Sequence, residues 1–135
     1  KNVTDGGVKY VNYVGSKYGK DKEKYFKEAD IFVFPTFYHN ECLPLVLLEV
    51  MQYKKAIVTT DEGGIPDIVK DGINGFICKR EDAISLANSI EKLISDKNTC
   101  IEFGKNGYGI FKKHFTINRS NENFRTIIIN TLNNI

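Results

Sequence analysis

Glu49 is the only charge in the run Pro44-Leu45-Val46-Leu47-Leu48-Glu49-Val50-Met51. A helix that is apolar nearly all the way round is buried on most sides. A lone carboxylate inside it is costly unless it has a partner or faces a ligand. A salt bridge to a lysine, a hydrogen bond to a neighbouring loop or a bound molecule would each satisfy it, and the residue types leave these open. Glu41 lies eight positions earlier, in the polar loop that enters the same helix. With the helix opening near Pro44, where a missing N–H does no harm, its free N–H groups border the cleft that Glu41 also borders. Such a terminus favours an anion such as a diphosphate. Carboxylates beside a phosphate site make sense when they grip neutral hydroxyls, because two carboxylate oxygens can accept from a vicinal diol. Ribose, diphosphate and hexose in a row meet that description.

The elements that must position these groups follow from pattern. Val8 to Val14 has strand character and stops at Gly15. Lys20 to Ala29 reads as a helix with Tyr18, Tyr25, Phe26 and Ala29 on one face. Ile31-Phe32-Val33-Phe34, closed by Pro35, reads as a strand buried on both faces, and Ala56 to Thr60 as another. Gly63-Gly64-Ile65-Pro66 marks a tight loop into a brief helix over 67–70. Asp71-Gly72 and Asn74-Gly75 are turn signals, and Phe76-Ile77-Cys78 reads as one more strand. The remainder is helical: one helix capped by Asp82, a second through Ile101, Tyr108 and Phe111 weakened by Gly104, Gly107 and Gly109, and a third through Phe124, Ile127 and Leu132 with Ser120 near its start. Strands alternating with helices imply an α/β sandwich with a mostly parallel sheet. Ligands bind beyond the carboxyl ends of such strands, which points to the loops after Val14, Phe34 and Thr60.

The glutamate pair is embedded in Phe34-Pro35-Thr36, then Asn40-Glu41-Cys42-Leu43-Pro44, then Gly63-Gly64-Ile65-Pro66-Asp67 and Asp71-Gly72-Ile73-Asn74-Gly75. This resembles the group 1 glycosyltransferases (family 4), whose members have two Rossmann-like domains facing each other across a cleft, the GT-B arrangement. The resemblance implies a Rossmann-like three-layer sandwich, the C-terminal half of such an enzyme. It implies that residues 1–135 are one nucleotide-sugar-binding domain, incomplete at its N-terminal edge. It also carries roles onto positions. Glu41 would contact the donor sugar beside the anomeric centre, and Glu49 would hold the ribose hydroxyls. Backbone N–H groups from Cys42, Leu43, Pro44 and Leu45, the loop entering the helix, would face sugar and diphosphate. Ser16 and Lys17 would frame the base. Gly63 and Gly64 would line the far side, where absent side chains permit close approach. Cys42 stands where the family usually has glycine, which bears on which sugar fits. By the resemblance, the family's phosphate-binding Arg and Lys would lie upstream of this chain, as would the acceptor domain.

The expected reaction is transfer of a sugar from a UDP- or GDP-sugar to a glycan or lipid-linked acceptor hydroxyl, with retention, in glycan, polysaccharide or glycolipid synthesis. Neither metal nor cofactor is expected, since no Asp-x-Asp triplet or metal-ligand spacing occurs. An epimerase or phosphorylase on a similar scaffold, or a non-catalytic nucleotide-sugar-binding module, are the alternatives. Composition adds exclusions. With 41% hydrophobic and 27% charged residues the chain can build a core. A net charge of +2 is too small to suggest nucleic acid, and the lysines from Lys17 to Lys27 interleave with acids as a solvated helix face does. No apolar run is long enough to span a membrane. Three widely spaced cysteines suit a reducing cytoplasm better than a disulfide framework, with peripheral membrane association left to the missing domain. A start at Lys1 is expected of an excised or processed chain. His39 reads as a loop histidine and His114 as a helix-end surface residue.

Overall fold

The computed structural model describes residues 11–134. Six helices and three strands alternate along them: α1 (Gly19–Glu28), β1 (Ile31–Phe34), α2 (Leu45–Gln52), β2 (Ala56–Thr59), α3 (Ile65–Ile68), β3 (Gly75–Ile77), α4 (Ala83–Ser95), α5 (Lys97–His114) and α6 (Ile117–Leu132). The strands form one parallel sheet in the order β1-β2-β3. Ile31 pairs with Ala56 and Phe34 with Thr59; Ile57 pairs with Gly75 and Thr59 with Ile77.

Side chains alternate across the sheet, and that alternation builds two cores. Ile57 joins Phe26 of α1, Leu47, Val50 and Met51 of α2 and Ile65 and Ile68 of α3, with Phe32 and Phe34 against them. Ala56 and Val58 point the other way, with Cys78, Leu93 of α4 and Phe103 of α5, while Ile31, Val33 and Phe76 pack alongside. Helices therefore cover both faces, giving the three-layer α/β sandwich expected. All of β2 is buried, as a central strand requires, whereas β1 is half-buried along its length.

Most elements fall where the pattern puts them, and the exceptions have physical causes. The expected strand over 8–14 is not confirmed: its first residues lie outside the described ones, and 11–18 is irregular. Pro44 is the N-cap of α2 rather than its first helical residue. The glycines expected to weaken α5 leave an unbroken 18-residue helix. At Gly104 a side chain would overlap the Lys54 carbonyl oxygen, so that glycine lets α5 press on the turn after α2. Asp82 caps α4 as expected, its carboxylate accepting from the Ile84 and Ser85 N–H groups at 3.0 and 2.9 Å. α6 forms but buries none of its residues among those described.

Candidate functional site

The loops leaving the carboxyl ends of the three strands are tied to one another. The Thr59 hydroxyl donates to the Phe34 carbonyl at 2.8 Å, and that of Thr60 to the Thr36 carbonyl. Both threonines are buried, so these acceptors replace water. The loop after β1 then turns at Tyr38, whose carbonyl accepts from the Glu41 N–H at 2.8 Å. It delivers Glu41, half-buried, and Cys42, exposed, to the start of α2.

Gly63 and Gly64 lie directly against that loop. Gly63 has φ +51°, in the region that favours glycine, and a Cβ on it would overlap the Glu41 carbonyl oxygen. A Cβ on Gly64 would overlap the Cys42 carbonyl oxygen, which accepts the Gly64 N–H at 2.8 Å. The space left by the missing side chains is thus filled by backbone. The sequence suggested close approach of a ligand here; the contact made is loop on loop, and it fixes where Glu41 sits.

α2 begins at Leu45 behind Pro44, with no side-chain cap and no acidic residue in its first turn. Its first N–H groups have no intrahelical partner, and nothing acidic in that turn offsets the positive end of the dipole. Leu43 and Leu45 are exposed, and Pro44 is buried. Glu49 lies four residues beyond Leu45, roughly 6 Å along the axis at 1.5 Å per residue. Its carboxylate is not orphaned: Lys22 of α1 donates to both oxygens, at 2.9 and 2.7 Å. The side chains of the pair are 32% and 39% exposed, so this bridge sits at the rim of the core.

Of the residues singled out by sequence, the structure joins Glu41, Cys42, Gly63 and Gly64 in one contact set, with Leu43, Pro44 and Leu45 continuing into the helix. Glu49 follows one turn on. Ser16, exposed, and Lys17, half-buried, stand apart in the irregular stretch ahead of α1. Three contributors escaped the sequence. Lys22 looked like one lysine of a solvated face. Glu62, only 8% exposed at its side chain, and Arg80, in the turn after β3, form an ion pair at 2.9 Å. Arg80 also reaches Asp61 at 2.8 Å, and first Asp61 and then Glu62 push the guanidinium pKa up further. His39 is exposed, with Nδ1 4.0 Å from Glu62. A separate hollow of about 270 Å³, between Asp30, Leu93 and Cys100, lies at the amino end of β1, away from these loops.

A parallel sheet with helices on both faces, and tied strand-end loops around an uncapped helix terminus, is the architecture of a Rossmann-like α/β domain. The chain belongs to the family of glycosyl transferases group 1, which it matches over residues 6–109. It is 34% identical over 96 residues to the capsular polysaccharide biosynthesis glycosyltransferase CapM of Staphylococcus aureus, an alignment covering 71% of this chain and 25% of that protein. The chain spans about a quarter of the length of the curated relatives it matches. Among solved structures, the C-terminal domain of a glycosyl transferase group 1 protein, LpcC from Francisella tularensis, superposes with a TM-score of 0.66 at 25% identity, covering 79% of this chain and 53% of that one. Anabaena HepE in complex with UDP-glucose superposes at 0.70 over 87% of this chain and 31% of that one. At 22% identity HepE speaks to the fold alone.

Proposed function

We propose that residues 1–135 are the donor-binding domain of a retaining glycosyltransferase that takes a sugar from a nucleoside diphosphate, UDP or GDP, to an acceptor hydroxyl held by a second domain. One observation carries this reading. The Glu41–Cys42 loop is fixed by Gly63 and Gly64 at the uncapped start of α2, with Glu49 one turn further on. The helix terminus meets the diphosphate and the charge that grows on it as the bond to the sugar breaks. Glu41 faces the sugar and stabilises positive charge developing at the anomeric carbon; it is not a covalent nucleophile. Glu49 holds the ribose diol. Lys22 takes one direction on each carboxylate oxygen, and a carboxylate with about four lone-pair sites keeps two for the hydroxyls.

The capsular polysaccharide role of CapM favours polysaccharide synthesis. The charge stabilisation assigned to α2 needs no metal, so transfer is expected to persist in EDTA. The test is acceptor-dependent release of nucleoside diphosphate by the full-length protein. Glu41→Gln should lower kcat by on the order of 10²–10³, as loss of one preorganised electrostatic contact does, with affinity for the bare nucleoside diphosphate unchanged. Near-normal kcat removes Glu41 from the mechanism. Equal loss of kcat and diphosphate affinity indicates a damaged pocket.

A further inference from the structure

We infer that Arg80 is a positioning residue for Glu41, acting from the third strand-end loop through Glu62 and the paired glycines. The inference rests on the role proposed for Glu41.

Arg80 is built on a fixed base. Just before it, the Cys78 N–H donates to the Thr59 carbonyl at 2.7 Å, and the Lys79 N–H to the Ser85 hydroxyl of α4 at 3.0 Å. From there the guanidinium spans two neighbouring carboxylates, Nε to Asp61 at 2.8 Å and Nη1 to Glu62 at 2.9 Å. Glu62 immediately precedes Gly63, and its carbonyl accepts the Ile65 N–H at 3.1 Å. The segment held by Arg80 is therefore the one whose backbone lies on the Glu41 and Cys42 carbonyls. β3 loop, β2 loop and β1 loop form one chain of contacts that ends at Glu41.

Burial makes the clamp consequential. The Glu62 side chain is 8% exposed, and a carboxylate so far from water needs a cation. His39 stands at 4.0 Å from the other oxygen and meets that need only when protonated. Without Arg80, Glu62 must turn toward solvent, which moves Gly63 and Gly64 and frees the loop that carries Glu41. The guanidinium, already shared between two carboxylates, is occupied in holding the loop. Its ion pairs are with Asp61 and Glu62, while Glu49 pairs with Lys22, so nucleotide binding should be spared.

The experiment measures kcat and UDP affinity of the full-length protein for Arg80→Ala, for Arg80→Lys, and for Arg80→Ala combined with Glu62→Gln, with Glu41→Gln in parallel. Misplacement of a catalytic group by about an ångström commonly costs up to on the order of a hundredfold, so Arg80→Ala should lower kcat roughly tenfold to a hundredfold at unchanged UDP affinity. Glu62→Gln removes the buried charge that needed a cation and should restore most of that loss. Arg80→Lys, a point charge able to satisfy one carboxylate, should fall between; it carries the same comparison if Arg80→Ala does not fold. Normal kcat in the Arg80 variants, with Glu41→Gln impaired, overturns the inference and leaves the proposed function standing. Parallel loss of UDP affinity and kcat, unrecovered by Glu62→Gln, overturns it by making Arg80 a ligand contact. Normal kcat in Glu41→Gln removes Glu41 from the mechanism and this inference with it.

Discussion

Removing Glu49 separates a ligand contact from a structural ion pair, because the two roles predict different ratios of affinity loss to stability loss. The carboxylate is 39% exposed and its lysine partner 32%, so the bridge is close to the surface class, worth about 0.2–1 kcal/mol. Glu49→Ala should therefore lower stability by at most about 1 kcal/mol, a few degrees in Tm. An unpartnered carboxylate would have made the same change stabilising; the Lys22 contact reverses that sign. If Glu49 also accepts two ribose hydroxyls at about 0.5–1.5 kcal/mol each, donor affinity falls by about 1–3 kcal/mol, or roughly fivefold to 150-fold in Kd. Calorimetric titration of the full-length protein with UDP, beside thermal melts of the same samples, reads both. Lys22→Met is the companion. It should cost similar stability but less affinity, since the carboxylate remains and loses only its orientation. Unchanged UDP affinity in Glu49→Ala together with a Tm drop matching Lys22→Met would refute the reasoning and leave Glu49 as an ion-pair partner.

Gly64→Ala should impair folding or, if the protein folds, lower kcat, because the new methyl overlaps the Cys42 carbonyl oxygen, a backbone atom that cannot rotate away; wild-type stability and kcat would contradict this. Asp96 caps α5 by accepting from the Thr99 hydroxyl and from the Thr99 and Asn98 N–H groups, bonds that hold its pKa below the usual carboxylate range. Its stabilisation is present above the unfolded pKa and lost as pH falls through the folded one. The Tm advantage of wild type over Asp96→Ala should thus be full at neutral pH and vanish in acid, whereas a pH-independent difference would show that the charge plays no part. Among the thiols, Cys42 is exposed, Cys78 buried and Cys100 intermediate, and burial is the main cause raising the pKa of both Cys78 and Cys100. Alkylation of the native protein near neutral pH should modify Cys42 first, read by peptide mass spectrometry; faster labelling of Cys78 would contradict the packing around β3.

The sequence disclosed what depends on neighbours along the chain and concealed what depends on folding. Ile31–Phe34 and Ala56–Thr59 are short runs closed by a proline or a polar loop, so strands of a parallel sheet could be read there directly; the expected burial on both faces holds for Ala56–Thr59, whereas Ile31–Phe34, at the edge of the described sheet, is half-buried. Asp82 directly precedes the periodic residues of α4, and its cap was equally legible. Gly63-Gly64 was visible as a tight loop, but nothing local says whether ligand or backbone fills the space beside it; Glu41 arrives from another strand end. The Lys22–Glu49 bridge joins residues 27 apart and Arg80–Glu62 residues 18 apart. Neither separation carries a periodic signal, and Lys22 was indistinguishable from its solvated neighbours. One clue to Glu62 was present: a carboxylate set between a buried strand end and a glycine pair requires a cation as surely as one inside an apolar helix. The strand expected through Val14 had apolar character but no described partner, and residues 11–18 are irregular.

The central claim is that a sugar nucleotide lies across the start of α2 with its ribose at Glu49 and its sugar at Glu41. A crystal structure of the full-length protein with a bound nucleoside diphosphate sugar tests it most directly. The account predicts the diphosphate at the N–H groups of the first turn of α2, both ribose hydroxyls within hydrogen-bond distance of the Glu49 carboxylate while Lys22 keeps its bridge, and the Glu41 carboxylate against the sugar. A nucleotide seated away from that helix terminus, or a Glu49 that contacts Lys22 alone with ligand bound, would contradict it.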